Sequence, residues 1–390
     1  MKEGWTYKKL GEVCEVISGQ SPEGKYYNTE RKGIPFYQGK KDFSLKYIGE
    51  PTMWTTDVTK IAEKDDLLMS VRAPVGDVNF ATQRLCIGRG LAAIRTKGKV
   101  DKEYLFYFLL AKKNNIKGKE GVGFASINRK EIMDIDIHYP DDLSEQLSIV
   151  ARLDAAFADI DALKANAGKQ LSEARQLFQA ELSECMKPKE GWEEKRLRDV
   201  IDSLRTGLNP RVHFKLNTSD AKGYYITVRE LKGFSFEVDN KTDRINEAAI
   251  KRINERSNLE IGDVLYSGTG TIGRTAIVRE LPTWWGIKEG VYAITPKKAA
   301  IDSYFMVYTM HSDSFNRKVM SKTSGTTVRS IPMKELKEIT IPVPTLDDQH
   351  RIVSHLDSLS AKVRELEEVE RKTLAECDAL KQAMLREVFE

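Results

Sequence analysis

The sequence of 390 residues is poor in the features that usually announce a chemistry. Its four cysteines, Cys14, Cys86, Cys185 and Cys377, lie far apart with no CxxC pair. That argues against a disulfide framework or a zinc site and fits a reducing cytoplasm. Its five histidines are His138, His213, His311, His350 and His355. None forms an HExxH motif, and His350 and His355, five apart on a helix, do not share a face, so surface roles are expected. There is no GxSxG and no Asn/Asp-Pro-Pro-aromatic tetrapeptide of amino-methyltransferases. No catalytic residue and no metal site are therefore expected. No apolar run approaches the roughly 20 residues that span a bilayer, and the opening Met1-Lys2-Glu3-Gly4-Trp5 has no apolar signal region. A cytoplasmic protein without membrane association is expected. Net charge is scarce too: 62 Lys and Arg against 58 Asp and Glu leave +4.

What the chain does have is a long internal repeat, which is sought before any other feature. Gly4-Trp5 with Leu10 and Val13 returns as Gly191-Trp192 with Leu197 and Val200. Ser18-Gly19-Gln20-Ser21-Pro22 returns as Thr206-Gly207-Leu208-Asn209-Pro210. Asp66-Leu67-Leu68-Met69-Ser70 before Gly76 matches Asp263-Val264-Leu265-Tyr266-Ser267 before Gly273. Gly90–Ile94 matches Gly290–Ile294, and Ser126-Ile127 matches Ser330-Ile331. Gln146, Ile149-Val150 and Leu153-Asp154 match Gln349, Ile352-Val353 and Leu356-Asp357. Order is kept throughout, so the repeat denotes two homologous domains rather than a solenoid of short units.

Each copy begins with a mixed segment. Runs such as Asp263–Ser267 and Ile339–Val343 predict strands bounded by Gly and Pro, and Asp101–Lys113 and Asp302–Val319 predict helices. A long helix with almost no breakers follows, Ser144–Met186 in the first copy and Asp347–Phe389 in the second, with Ser144 and Asp347 as expected N-caps. Ile352, Leu356, Leu359, Val363 and Leu366 keep heptad spacing. Such a helix is about 60 Å long at 1.5 Å per residue and needs a partner of similar length. The other copy is the expected partner, in an antiparallel pair; an intermolecular coiled coil is the alternative. The chain therefore divides into 1–143, a globular domain; 144–187, a central helix; 188–345, a second globular domain; and 346–390, a C-terminal helix.

Charge follows these divisions. Residues 1–143 carry 24 basic and 20 acidic groups, and residues 188–345 carry 26 and 20. The helical segments carry 5 and 7, then 7 and 11. Two basic domains beside acidic spacers are what a duplex binder shows. One motif points elsewhere. Gly268-Thr269-Gly270-Thr271-Ile272-Gly273-Arg274-Thr275 fits GxGxxG, and fits a P-loop with Arg274 in place of the lysine. Both motifs require a helix to open after the loop, but Ala276-Ile277-Val278 reads as a strand, so a tight β-turn is expected instead.

Asp263–Arg274 resembles the strand and loop of a type I restriction–modification specificity subunit. Lys334–Pro344 followed by Gln349 and Ile352-Val353, and Lys130–Ile137 with Pro140, Gln146 and Ile149-Val150, are similar to that family as well. The first copy departs from it at Arg72-Ala73-Pro74-Val75, where the family usually has a Gly-containing turn. The resemblance implies an α+β fold: two mixed α/β target-recognition domains, joined by two long helices in an antiparallel intramolecular coiled coil with pseudo-twofold symmetry. It implies a non-catalytic reader of double-stranded DNA, each domain taking half of a bipartite target. The helices would set the spacer and dock two modification subunits, with restriction/translocase subunits joining them. No cofactor is expected on this chain; S-adenosylmethionine, ATP and Mg are expected on the partner subunits. Arg suits guanine, Asn and Gln suit adenine, and Lys suits phosphate. The DNA-binding candidates are Gln20, Gln38, Lys40, Lys41, Arg72, Arg89, Ser126 and Arg129 in the first domain. In the second they are Asn209, Arg211, Arg229, Lys232, Thr269, Arg274, Lys288, Thr326 and Arg329.

Overall fold

Leu67-Leu68-Met69 is apolar without alternation, and its place in the fold explains why. In the computed structural model, which describes residues 4–116, 125–325 and 328–390, Leu67–Ser70 lies inside a four-stranded antiparallel sheet. The sheet order is Cys14–Ser18, Leu91–Thr96, Leu67–Ser70, Val78–Phe80. Successive side chains on a strand point to opposite faces. Leu67, Met69, Ala92 and Ile94 enter one core, whereas Leu68, Leu91 and Ala93 enter a second. A strand covered on both faces reads as an unbroken apolar run.

This sheet belongs to a unit made of Met1–Ala167 and Arg371–Glu390; Gly168–Glu370 forms another. In the first unit the main core is roofed by the helix Lys102–Lys112. Asp101 caps it by accepting from the backbone N–H groups of Glu103 and Tyr104 at 2.9 and 3.0 Å. Tyr104 and Phe108 meet Phe389 edge-on, with centroids 5.3 and 5.8 Å apart. Burial of each such ring contributes on the order of 1.5–3 kcal/mol. Trp5–Lys9 pairs antiparallel with Asp136–Pro140. A five-stranded mixed sheet pairs Ile34–Tyr37 parallel to Leu85–Ile87.

The second unit uses the same plan. Its four-stranded sheet runs Ile201–Thr206, Val291–Pro296, Val264–Ser267, Thr275–Ile277. Val264, Tyr266 and Ile294 enter one core and Leu265, Val291 and Ala293 another. The helix expected over Asp302–Val319 is two helices, Ser303–His311 and Asp313–Ser321. Ser312 makes the break. Its hydroxyl donates to the Thr309 carbonyl at 2.7 Å and accepts from the Phe315 N–H at 3.3 Å, ending one helix and capping the next.

The repeated polar residues have repeated duties. The Gln146 amide accepts from the Asp101 N–H at 2.8 Å and donates to the Pro140 and Lys99 carbonyls at 2.8 and 3.2 Å. Gln349 accepts from the Asp302 N–H at 2.8 Å and donates to Ala300 and Pro344 at 2.9 and 3.0 Å. Both side chains are fully buried, where an unmade hydrogen bond is costly. Tyr107 donates to Asp154 at 2.5 Å, and Tyr308 donates to Asp357 at 2.6 Å.

The long helices run Leu143–Cys185 and Leu346–Phe389. Each begins one residue before its expected start, because the caps are Asp142 and Thr345 rather than Ser144 and Asp347. Asp142 accepts from the Ser144 N–H at 2.9 Å and Thr345 accepts from the Asp348 N–H at 3.3 Å. Within the first unit, Asp161 is bound by Lys381 at 2.6 Å and Lys164 binds Asp378 at 2.7 Å. Within the second, Arg175 binds Glu367 at 2.7 Å and Glu181 meets His355 at 2.9 Å. In each unit the partner number falls as the helix advances, which is antiparallel pairing. No helix among the described residues is long and apolar enough to cross a membrane.

Two histidines are not the surface residues expected. His138 lies among Trp5, Tyr7 and Phe108, with centroids 5.2–5.7 Å away. His311 is enclosed beside Phe234, with its Nε2 2.8 Å from Thr275 Oγ1. The Thr275 hydroxyl already donates to the Gly233 carbonyl at 2.7 Å. Nε2 therefore carries the proton and donates. Burial pushes the imidazole down to about 4.

Candidate nucleic-acid interface

In each unit a glycine lets a strand end run against a neighbouring loop. A Cβ on Gly19 would lie 2.2 Å from the Gly88 carbonyl oxygen, and one on Gly207 would lie 1.8 Å from that of Ile287. No side chain fits at either position, so Ser18-Gly19-Gln20 and Thr206-Gly207-Leu208 can each hug the turn that precedes a central strand.

Around the first of these turns five candidates converge. The Gln20 N–H donates to Ile87 at 2.9 Å, and the Gly90 N–H donates to Gln38 at 3.1 Å. The Ser21 hydroxyl donates to the Gln38 amide oxygen at 2.9 Å and accepts from the Arg89 N–H at 3.2 Å. The Val71 N–H binds Gly90, and Arg72 pairs with Ser126 in an isolated bridge. Gln20, Gln38, Arg72, Arg89 and Ser126 thus lie along one exposed ridge. Ser21, which ties two of them together, was not among the sequence candidates. Its signal was its place in the repeated Ser-Gly-Gln-Ser-Pro block.

Ser70 and Ser267 hold the adjoining loops in the same way. Ser70 Oγ donates to the Pro74 carbonyl at 2.9 Å and accepts from the Asp77 N–H at 3.0 Å. Ser267 Oγ donates to Thr271 at 2.7 Å and accepts from the Arg274 N–H at 2.8 Å. The segment after Gly268–Gly273 is the strand Thr275–Ile277, antiparallel to Val264–Ser267. The glycine-rich stretch is therefore a hairpin turn, with Gly270 and Gly273 at φ of 80° and 94°. No helix N-terminus is present there to receive a phosphate.

In the second unit Thr269 bridges Ser330, and the Gly270 N–H donates to the Arg329 carbonyl at 2.9 Å. The Lys288 N–H binds Ile226 at 2.9 Å, and Arg274 reaches the Val228 carbonyl at 3.3 Å. Leu208 bridges Lys288, which brings Asn209 and Arg211 alongside. Lys232 sits in the neighbouring turn, its N–H bound to Ser235 at 2.8 Å. Thr326 lies outside the described residues.

The candidates divide by what their side chains already do. Asn209 caps the short helix Pro210–His213 through the Arg211 N–H at 3.0 Å. Arg129 donates to the Val16 carbonyl at 2.8 Å. Arg229 pairs with the buried Glu230 at 2.8 Å. Burial works to raise the Glu230 carboxyl, but hydrogen bonds from Thr227 and Arg229 hold it below the ordinary range. Lys40 pairs with Asp77, which Lys113 also holds. These four serve the fold. Lys41, Arg72, Arg89, Arg211, Lys232, Lys288 and Arg329 are exposed, and their side chains make no hydrogen bond or ion pair among the described residues. Unpaired cations, amides and hydroxyls on a ridge can meet phosphate oxygens and base edges. Tyr37 and Tyr225 are fully buried beneath the ridges, with their hydroxyls on the Gly49 and Leu208 carbonyls at 2.7 and 2.6 Å, so neither stacks on a base.

The chain has relatives among known proteins. The family model described as type I restriction modification DNA specificity domain matches residues 2–172 and again residues 189–376. The chain is similar to the "Putative type I restriction enzyme MjaX specificity subunit" of Methanocaldococcus jannaschii, 41% identical over 177 residues, 44% of this chain and 41% of that protein. It is also similar to the type I restriction enzyme EcoBI specificity subunit of Escherichia coli, 20% identical over 427 residues, 99% of this chain and 86% of that one. In fold it is similar to a chain solved in work on complex assembly and conformational transition of the type I R-M system. That match has a TM-score of 0.76 and 20% identity, and covers 100% of this chain and 98% of the other.

Proposed function

Because this chain belongs to the type I restriction modification DNA specificity domain family, whose model it matches twice, we propose that each unit's loop ridge reads one half of a bipartite site in double-stranded DNA. The family role is DNA recognition, not catalysis. The observation that carries the reading is the convergence of polar and cationic side chains onto one ridge per unit: Gln20, Gln38, Arg72, Arg89 and Ser126 in the first, and Arg211, Thr269, Arg274, Lys288 and Arg329 in the second. Because the two ridges carry different residues, the half-sites differ. The recognition domains are proposed as 1–143 and 188–345, and the spacer helices as 144–187 and 346–390.

The long helices hold the two readers at a set separation and offer their outer faces to two modification subunits, with restriction/translocase subunits completing the complex. An apolar groove of about 430 Å³ between the helices of the second unit supports such docking. It is lined by Leu177, Phe178, Leu359, Val363, Leu366 and Val369, and Leu177 is 71% exposed. S-adenosylmethionine, ATP and Mg belong to the partner subunits. The test is binding by the assembled complex to duplexes in which either half-site is scrambled, using wild type and a chain lacking residues 188–345. The truncated chain should be blind to changes in one half and sensitive to changes in the other. Sensitivity to both halves after the deletion contradicts one reader per half-site.

A further inference from the structure

The second unit gathers three metal-ligating side chains that the DNA reading leaves unused. Glu181 and Cys185 stand four residues apart on the first long helix, so both face the same way. His355 comes from the facing helix, 174 positions from Glu181 in sequence. The ligand atoms of the three all lie within 4.8 Å of one another. His355 Nε2 is 2.9 Å from Glu181 Oε1, and Cys185 Sγ is 3.6 Å from the same oxygen. Tetrahedral zinc with bonds of about 2.3 Å to sulfur and about 2.0 Å to oxygen separates those two ligands by about 3.5 Å. The sulfur is buried, while Glu181 and His355 reach solvent, with side chains 38% and 51% exposed. An ion therefore has an entry path and room for a water as a fourth ligand.

The other unit supplies an internal control. The register that matches Gln146 with Gln349 and Asp154 with Asp357 also matches Leu182 with Leu385, both fully buried. In that register Met384, Val388 and Arg152 stand where the second unit has Glu181, Cys185 and His355. Met384 and Val388 pack against the core of the first unit. Packing of the helix pair is thus met without any donor atoms, and the trio is an addition specific to one unit.

We propose that Glu181, Cys185 and His355 form a binding site for a single zinc-like divalent cation that ties the two long helices together within the second unit. Thiolate, imidazole and carboxylate on a small tetrahedral frame suit zinc among the common divalent ions. Binding forms the metal–sulfur bond as the Cys185 thiol proton leaves to solvent, and the His355 ring nitrogen that takes the metal passes its proton to the other ring nitrogen or to solvent as it exchanges its contact with Glu181 for the ion. The proposal stands independently of the DNA reading.

The test is titration of the untagged full-length chain with zinc by calorimetry, and with cobalt as a spectroscopic reporter. One ion per chain is expected, with thiolate-to-cobalt charge-transfer absorption. Cys185→Ala should remove that absorption, and the surface change His355→Gln should weaken binding at least about tenfold, the scale seen on losing even a supporting group of a metal site. Cys377→Ala, at a buried cysteine in the first unit, should change neither readout. His355→Gln keeps the test decisive should Cys185→Ala fail to fold. Absence of a bound ion, or binding indifferent to His355→Gln, overturns the proposal.

Discussion

The two units of this chain are the same scaffold carrying different surfaces. What they share is polar and lies in or against the core: Gln146 and Gln349 bridging a helix cap to two carbonyls, Tyr107–Asp154 and Tyr308–Asp357, and the loop-holding Ser70 and Ser267. What differs is exposed. One loop runs Arg72-Ala73-Pro74-Val75-Gly76, the other Gly268–Gly273. One turn carries Arg89, the other Lys288 and Glu289. Even the buried carboxylates find partners by different routes. Asp66 is held by Arg95 of the adjacent strand at 2.7 Å, and Asp263 by Arg205, two strands away, at 2.8 Å together with Thr295. The lesson is physical. Unpaired buried groups are costly wherever they occur, so those contacts recur, whereas exposed loops are free to diverge.

The largest test of this comparison removes the shared element. Gln146→Leu and Gln349→Leu should each destabilise their own unit by about 3–5 kcal/mol, since each leaves a backbone N–H and carbonyls without partners. Unit-resolved hydrogen exchange checks it, and a neutral result for either variant breaks the equivalence. Next comes a difference between the units. His311 has no enclosed counterpart at the matched place in the first unit. Its pKa falls from an ordinary 6.5 to about 4 on folding. The unfolded chain therefore takes up a proton that the folded chain refuses. The second unit keeps its full stability above pH 6.5 and loses up to about 3 kcal/mol as pH falls toward 4. Urea midpoints at pH 7 and 4.5 should shift in wild type and shift much less in His311→Gln.

The ridges sharpen the comparison further. Arg72→Ala or Arg89→Ala should cost about 1–3 kcal/mol of binding to the cognate duplex if the guanidinium reads a base, with relaxed preference in one half only. Arg211→Ala and Arg329→Ala should do the same to the other half. A uniform loss with a shallower salt dependence would mark a phosphate contact instead. The smallest effect belongs to the exposed helix pair in the second unit. Glu367→Ala removes its ion pair with Arg175 and should cost under about 1 kcal/mol in a thermal melt.

Much of the scaffold was legible in the sequence because the repeat marks the residues that close buried hydrogen bonds. Gln146 and Gln349 occupy matched positions of the two copies. The break at Ser312 was hidden, because the apolar pattern continues through it and only the serine hydroxyl ends the helix. The caps at Asp142 and Thr345 were missed by two residues each, since Ser144 and Asp347 satisfy the same composition rule. The enclosed His311 was invisible because its neighbours, Phe234 and Thr275, are distant in sequence. The ridge was half legible. Residue type alone cannot tell an arginine that faces solvent, such as Arg89, from one bound to a backbone carbonyl, such as Arg129. The Glu181–Cys185–His355 group could not be read at all, because it exists only once two helices are paired.

The central claim is that one chain reads two different half-sites held at a set separation. Methylome sequencing of cells with and without this gene tests it most directly. The account predicts a methylated motif that depends on the gene, with two unlike specified halves around a fixed number of unspecified base pairs. A gene-dependent motif that is continuous or palindromic, or no difference between the two methylomes, would contradict it.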